Sequence, residues 1–139
     1  MKARIDWVKD LVFVGESNSG HSVVISAAKQ AGEATVAPSP MEYLLLGTGG
    51  CTATDVVLIL EKGRYKVHRC EVTLDADRAE TDPKVFTKIR FHFKIAGKGL
   101  TRDAVDRAIK LSAEKYCSAS IMLAKTAELS HDFEIIDEG

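Results

Sequence analysis

Residues 39–62 read Ser-Pro-Met-Glu-Tyr-Leu-Leu-Leu-Gly-Thr-Gly-Gly-Cys-Thr-Ala-Thr-Asp-Val-Val-Leu-Ile-Leu-Glu-Lys, and between Tyr43 and Leu60 the only charge is Asp55. Wound as a helix, this stretch puts apolar or small residues on every face, which predicts a long helix enclosed by protein. Its start is well marked: Ser39 can cap, Pro40 suits the first helical position, and Glu42 completes a Ser-x-x-Glu capping box. Gly63 marks the expected stop. At about 1.5 Å per residue the helix would be roughly 34 Å long, enough to cross a bilayer. The charge at Asp55, the glycines at 47, 49 and 50 and the lack of a flanking basic cluster speak against insertion. Glycines cost about 1 kcal/mol each in a helix relative to alanine. They predict either a backbone packed closely on the Gly47/Gly50 face or space kept open beside Cys51.

The chain of 139 residues fits one domain, 1–139. Nineteen basic and 20 acidic residues give a net charge of −1, so no overall field draws in nucleic acid or an anionic membrane. The start Met-Lys-Ala-Arg-Ile-Asp-Trp lacks the apolar segment of a secretory signal, and the expected compartment is the cytoplasm. Cys51, Cys70 and Cys117 cannot all pair within one chain, and none has Cys-x-x-Cys or Cys/His metal spacing, so no metal is expected. In a reducing compartment they are inert core thiols or reactive ones, and the inert reading suits Cys70 best.

Taken in order, residues 2–8 and 11–14 read as a hairpin joined near Lys9-Asp10, and 21–26 as a third strand. Residues 27–38 form a loop leading to the long helix. Residues 66–78 and 85–95 alternate as two strands of a second hairpin turning at Asp82-Pro83, with Gly97 to Gly99 breaking the pattern. Residues 101–115 are an amphipathic helix, interrupted at Tyr116-Cys117-Ser118, after which a short helix capped by Ser118 is expected. Residues 129–135 are a closing strand. The fold class is α+β, and one sheet of about six strands would cover a single side of the central helix, which predicts a homodimer.

Cys51 is the sharpest candidate for chemistry; its bland alternative is a buried space-filler. Cys117 strengthens the case, because it falls where a helix begins and where backbone N–H groups and the local dipole favour a thiolate. Two thiols in separate helical elements point to a peroxidatic and resolving pair: a thiolate attacks a peroxide O–O bond, becomes a sulfenic acid and condenses with the second thiol to a disulfide. His68 and His92 fall on polar strand faces and His131 on an apolar one, where a satisfied core histidine is expected. A Gly-x-Ser-x-Gly elbow, a phosphate loop and a dinucleotide fingerprint are all missing, and no cofactor is implied.

These residues resemble the OsmC/Ohr family of thiol-dependent hydroperoxide reductases over essentially the whole chain. The carriers are Pro38-Ser-Pro40-Met-Glu42 with Cys51 eleven residues after Pro40, and the later Ser112-Ala-Glu-Lys-Tyr-Cys117 segment before a closing strand. The resemblance implies an intertwined homodimer with central long helices, sites at the subunit interface, and organic hydroperoxides reduced at the expense of dithiols. Cys51 then matches the peroxidatic cysteine and Cys117 the resolving one. Two positions depart from well-characterised members, which carry an arginine near the first hairpin and a glutamate directly after the helix-opening proline. Here Met41 follows Pro40, the carboxylate is displaced to Glu42, a possible helper, and Arg4 is the nearest arginine. The rival expectations are a non-catalytic dimer holding a small apolar or thiol ligand beside Gly47 and Gly50, and a structural dimer with inert thiols.

Overall fold

The structure is a computed structural model and describes residues 1–138. The chain forms two compact units, Met1–Leu46 and Gly47–Gly139. In the first, β1 (Ala3–Lys9), β2 (Val12–Ser17) and β3 (Ser22–Ser26) make an antiparallel sheet in the order β1-β2-β3. The hairpin turns at Asp10, which adopts the left-handed conformation (φ 49°) that aspartate tolerates better than most residues. The Trp7 indole N–H donates to the Asp10 carbonyl at 2.8 Å and ties the turn down. Tyr43, in the first turns of helix α1 (Pro40–Lys62), donates its hydroxyl to the Val24 carbonyl at 2.5 Å.

The expected start of α1 is present. The Ser39 N–H donates to the Glu42 carboxylate at 3.0 Å, and the Glu42 N–H to the Ser39 hydroxyl at 3.2 Å, so two otherwise orphaned donors are satisfied reciprocally. The stop falls where expected: α1 ends at Lys62, directly before Gly63, and the left-handed residue that turns the chain is Arg64 (φ 67°). The Tyr65 N–H reaches back to the Leu60 carbonyl and the Arg64 N–H to Glu61, a Schellman arrangement.

In the second unit, β4 (Lys66–Arg78), β5 (Phe86–Lys98) and β6 (Glu128–Asp137) form a sheet with β5 central. The β4–β5 pair is antiparallel and β5–β6 parallel, the latter needing a crossover. That crossover is helical: α2 (Arg102–Leu111), a π-turn (Ser112–Tyr116) and α3 (Ser118–Leu123). The expected six-stranded sheet is instead two three-stranded sheets, one in each unit. β5 also runs on through Gly97, where a break was expected. A Cβ there would sit 2.1 Å from the Lys66 carbonyl oxygen, so glycine permits the two strands to approach instead of ending one of them.

One face of this sheet is apolar. Register aligns Val72, Phe93 and Phe133, and beside them Leu74, Phe91 and His131. Ile89, Phe91, Phe93 and Ile95 are buried, together with Val105, Ala108 and Ile109 of α2 and Val56 and Leu60 of α1. The opposite face is charged: Arg90 bridges Asp75 and Asp77, and His92 lies between Asp132 (2.7 Å) and Glu134 (3.1 Å). His68 pairs with Glu138 at 2.6 Å. The polar-face histidines therefore both hydrogen-bond to carboxylates.

Enclosure of α1 on every face is not achieved within the chain. Its buried residues are Thr48, Gly49, Thr52, Val56 and Leu60, a stripe with a spacing of about four, and Leu58 remains 49% exposed. By length and composition α1 is apolar enough to cross a membrane, with 28% of its most apolar window buried. Of the two expectations for the Gly47/Gly50 face, no backbone packs there: Gly47 and Gly50 face open space, and the close contact is at Gly49, where a Cβ would lie 2.8 Å from the Leu74 side chain.

Candidate functional site

Cys51 and Asp55 stand four residues apart on α1, the spacing that places side chains on one helix face. Cys117 comes from the segment between the π-turn and α3, directly after that turn. There the Cys117 N–H skips the usual partner and donates to the carbonyl of Ser112, five residues back, at 2.7 Å. Such a turn inserts one residue into helical geometry and is often found at functional sites. The expected helix break is thus real, and its form is a widened turn. Cys117 leaves it in an extended conformation (φ −76°, ψ 99°) and caps α3, its sulfur accepting from the Ser120 N–H at 3.3 Å. The cap is therefore Cys117, not Ser118.

The two cysteine sulfurs and an Asp55 carboxylate oxygen all lie within 4.8 Å of one another. Cys51 and Asp55 are half-buried, and Cys117 is fully buried. A chain of hydroxyls supports the group: Ser112 Oγ donates to Asp55 Oδ2 at 3.0 Å, and Thr52 Oγ1 lies 3.0 Å from Ser112 Oγ. Ser112 has one hydroxyl proton and gives it to the carboxylate, so Thr52 must be the donor in the second bond. Both hydroxyl residues are fully buried.

Burial pushes the Cys117 thiol above its ordinary pKa, and neighbouring Cys51 pushes the same way; the Ser120 hydroxyl and N–H oppose them. The short helix does not make Cys117 a ready thiolate, because loss of water outweighs the donors of one turn. Among the described residues the buried Ser120 hydroxyl makes no full hydrogen bond of its own, so its proton is available to the Cys117 sulfur beside it. Cys70, on the apolar face of β4 opposite Ile95, is half-buried with its thiol also raised by burial, as befits an inert packing residue.

Glu42 is engaged in its capping box, where the Ser39 hydrogen bonds hold its carboxyl below the usual range. Arg4 is bound to Asp6 and Glu16 at 3.2 and 3.1 Å. His131 stacks on Phe91 with ring centroids 4.5 Å apart, and burial lowers its pKa. Its Nε2 has no partner, so this core histidine is not the satisfied one expected.

Sequence reasoning missed Asp55, Ser112 and Thr52. The signal for Asp55 was present: an acid four residues after a cysteine, alone in an uncharged helix, shares that cysteine's face. Ser112 carried no such signal, since it occupies a position that reads as part of an apolar stripe.

A mixed α+β chain whose long helix brings one cysteine sulfur within 4.8 Å of a second, set just past a widened helical turn, defines a protein with a paired-thiol site. Residues 31–132 match the family described as OsmC-like protein, and the chain belongs to it. It is 48% identical over 136 residues to Protein YhfA of Escherichia coli K12, covering 98% of each chain. A crystal structure of a hypothetical protein from Aquifex aeolicus superposes with a TM-score of 0.86 at 28% identity, covering 99% of this chain and 97% of that one. An organic hydroperoxide resistance protein OsmC from Legionella pneumophila shares the fold at a TM-score of 0.71 and 13% identity, covering 96% and 95%.

Proposed function

We propose that this protein is a cytoplasmic thiol-dependent peroxidase that reduces organic hydroperoxides and acts as a homodimer. The observation that carries the reading is the approach of the Cys51 and Cys117 sulfurs to within 4.8 Å of each other. Cys51, the less buried of the two, is the attacking group. Its thiolate bonds to one peroxide oxygen as the O–O bond breaks, and the alkoxide leaves with a proton as the alcohol. Cys117 then attacks the sulfenic acid, water departs and a disulfide forms. A raised thiol suits this second role, since Cys117 need not ionise until the sulfenic acid is in place. An external dithiol returns both sulfurs to the reduced state.

Family membership supports the peroxide chemistry, because relatives of the same fold carry the name organic hydroperoxide resistance protein. The homodimer is supported by apolar side chains that the chain itself leaves uncovered, such as Leu58 on α1 and Met122 on α3, which are 49% and 71% exposed.

The test is organic-hydroperoxide consumption with a dithiol supplied, in the native protein and in Cys51→Ser and Cys117→Ser. Turnover should vanish without Cys51. Without Cys117, a sulfenic acid should accumulate at Cys51 after the first equivalent. Unchanged turnover in Cys51→Ser rules out the assigned nucleophile, and a monomer by light scattering at micromolar concentration rules out the dimer.

A further inference from the structure

We propose that reduced Cys51, Cys117 and Asp55 form a binding site for a zinc-class divalent cation. The sequence holds no Cys-x-x-Cys spacing, but the fold assembles from distant segments what a local motif would otherwise supply. Two soft sulfurs and one carboxylate oxygen, all within 4.8 Å, form a three-ligand set on two separate elements. A tetrahedral zinc with bonds of about 2.3 Å to sulfur and about 2.0 Å to oxygen sets its ligands about 3.5–3.8 Å apart. From 4.8 Å the three atoms need to close by about 1.3 Å at most.

The surroundings are those of a supported ligand set. The Ser112 hydroxyl holds one oxygen of the Asp55 carboxylate and Thr52 in turn holds Ser112, the outer-shell bonding that orients metal-binding carboxylates. The Ser120 N–H donates to Cys117 Sγ, and the Ser120 hydroxyl is one more donor for a metal-bound thiolate. Two thiolates and a carboxylate repel one another when ionised so close together, and a dication removes that repulsion. Borderline-soft zinc fits the mixture of sulfur and oxygen better than copper(I), which favours sulfur alone, or magnesium, which favours oxygen alone. Three protein ligands leave the fourth position open to water or a small anion.

The binding stands apart from any peroxide turnover, but a consequence follows that rests on the peroxidase reading. Metal and disulfide compete for the same two sulfurs. When a hydroperoxide oxidises the metal-bound pair, the thiolates give two electrons to the O–O bond and form the S–S bond. With two protons taken up, the hydroperoxide becomes alcohol and water, and the cation is released.

The test is titration of the reduced full-length protein with cobalt(II) without oxygen, followed by absorption. A thiolate-to-cobalt band in the near ultraviolet should saturate at one cobalt per chain and disappear when zinc is added. Asp55→Asn should bind cobalt at least tenfold more weakly, and Cys117→Ser should lose much of the band. Protein oxidised to the disulfide should show no band, a comparison that needs no substitution and so no assumption about folding. Absence of the band in the reduced protein overturns the site, and so does persistence of the band after oxidation. Unchanged cobalt affinity in folded Asp55→Asn, judged by circular dichroism, overturns the three-ligand set. Hydroperoxide turnover measured separately with a chelator present keeps this outcome distinct from the fate of the peroxidase reading.

Discussion

Replacing Ser112 by alanine removes the junction between α1 and the π-turn. Ser112 donates to the half-buried Asp55 carboxylate at 3.0 Å and lies 3.0 Å from the Thr52 hydroxyl, with Ser112 and Thr52 both fully buried. A hydrogen bond to a charged group is worth about 1.5–3 kcal/mol, and one between neutral groups about 0.5–1.5 kcal/mol. Ser112→Ala should therefore destabilise by about 2–3 kcal/mol, since it deprives the carboxylate of a donor and strands Thr52. Thr52→Val keeps the side-chain shape and should cost only about 1 kcal/mol. For a chain of this length about 1 kcal/mol corresponds to roughly 4 °C in melting temperature. Drops of about 8–12 °C and about 4 °C are expected, read by calorimetry or urea unfolding at one fixed protein concentration. The pair must also be non-additive: once Ser112 is gone the Thr52 hydroxyl has no acceptor there, and removing it should cost nothing further. A loss below about 1 kcal/mol for Ser112→Ala, or costs that simply add in the double variant, would refute the proposed direction and strength of this chain.

Three further outcomes follow from the geometry. Gly97→Ala drives a methyl against the Lys66 carbonyl oxygen, to which an added Cβ would stand at 2.1 Å; a loss of about 2–3 kcal/mol in urea unfolding is expected, from overpacking where backbone must yield. Leu60→Ala empties a side chain that is 1% exposed, and about 2–5 kcal/mol should be lost in the same assay. The hydrogen bonds of Asp132 and Glu134 raise the His92 pKa. The stability that His92 contributes is thus fully present below its unfolded value of about 6.5 and lost as pH rises through the higher folded value. His92→Gln should accordingly lower the melting temperature at pH 6 and leave it unchanged at pH 9; equal effects at both would show that the ion pairs contribute nothing.

Much of the fold was legible because its local signals agree with its tertiary role. The Ser39/Glu42 box fixes the start of α1, and alternation along 66–78 marks β4 residue for residue, since one face is buried and the other charged. Where a signal had two physical meanings, the sequence misled. Gly97 looked like a breaker, yet it serves close strand approach. The sheet count failed because alternation reports a strand's faces and not which other strands it joins. At the site the cysteines were readable as a residue type, whereas the hydroxyl chain was not. Thr52 and Ser112 are sixty residues apart and meet only through packing.

The widened turn at Ser112–Tyr116 holds one residue more than an ordinary helical turn, and the Cys117 N–H closes on the Ser112 carbonyl five residues back. Deleting one position in 113–116 would let that bond close at the ordinary spacing of four, so the residues beyond would keep their rotation about the helix axis. A single in-frame codon deletion there would thus shorten the connection and still leave the second thiol at the start of α3.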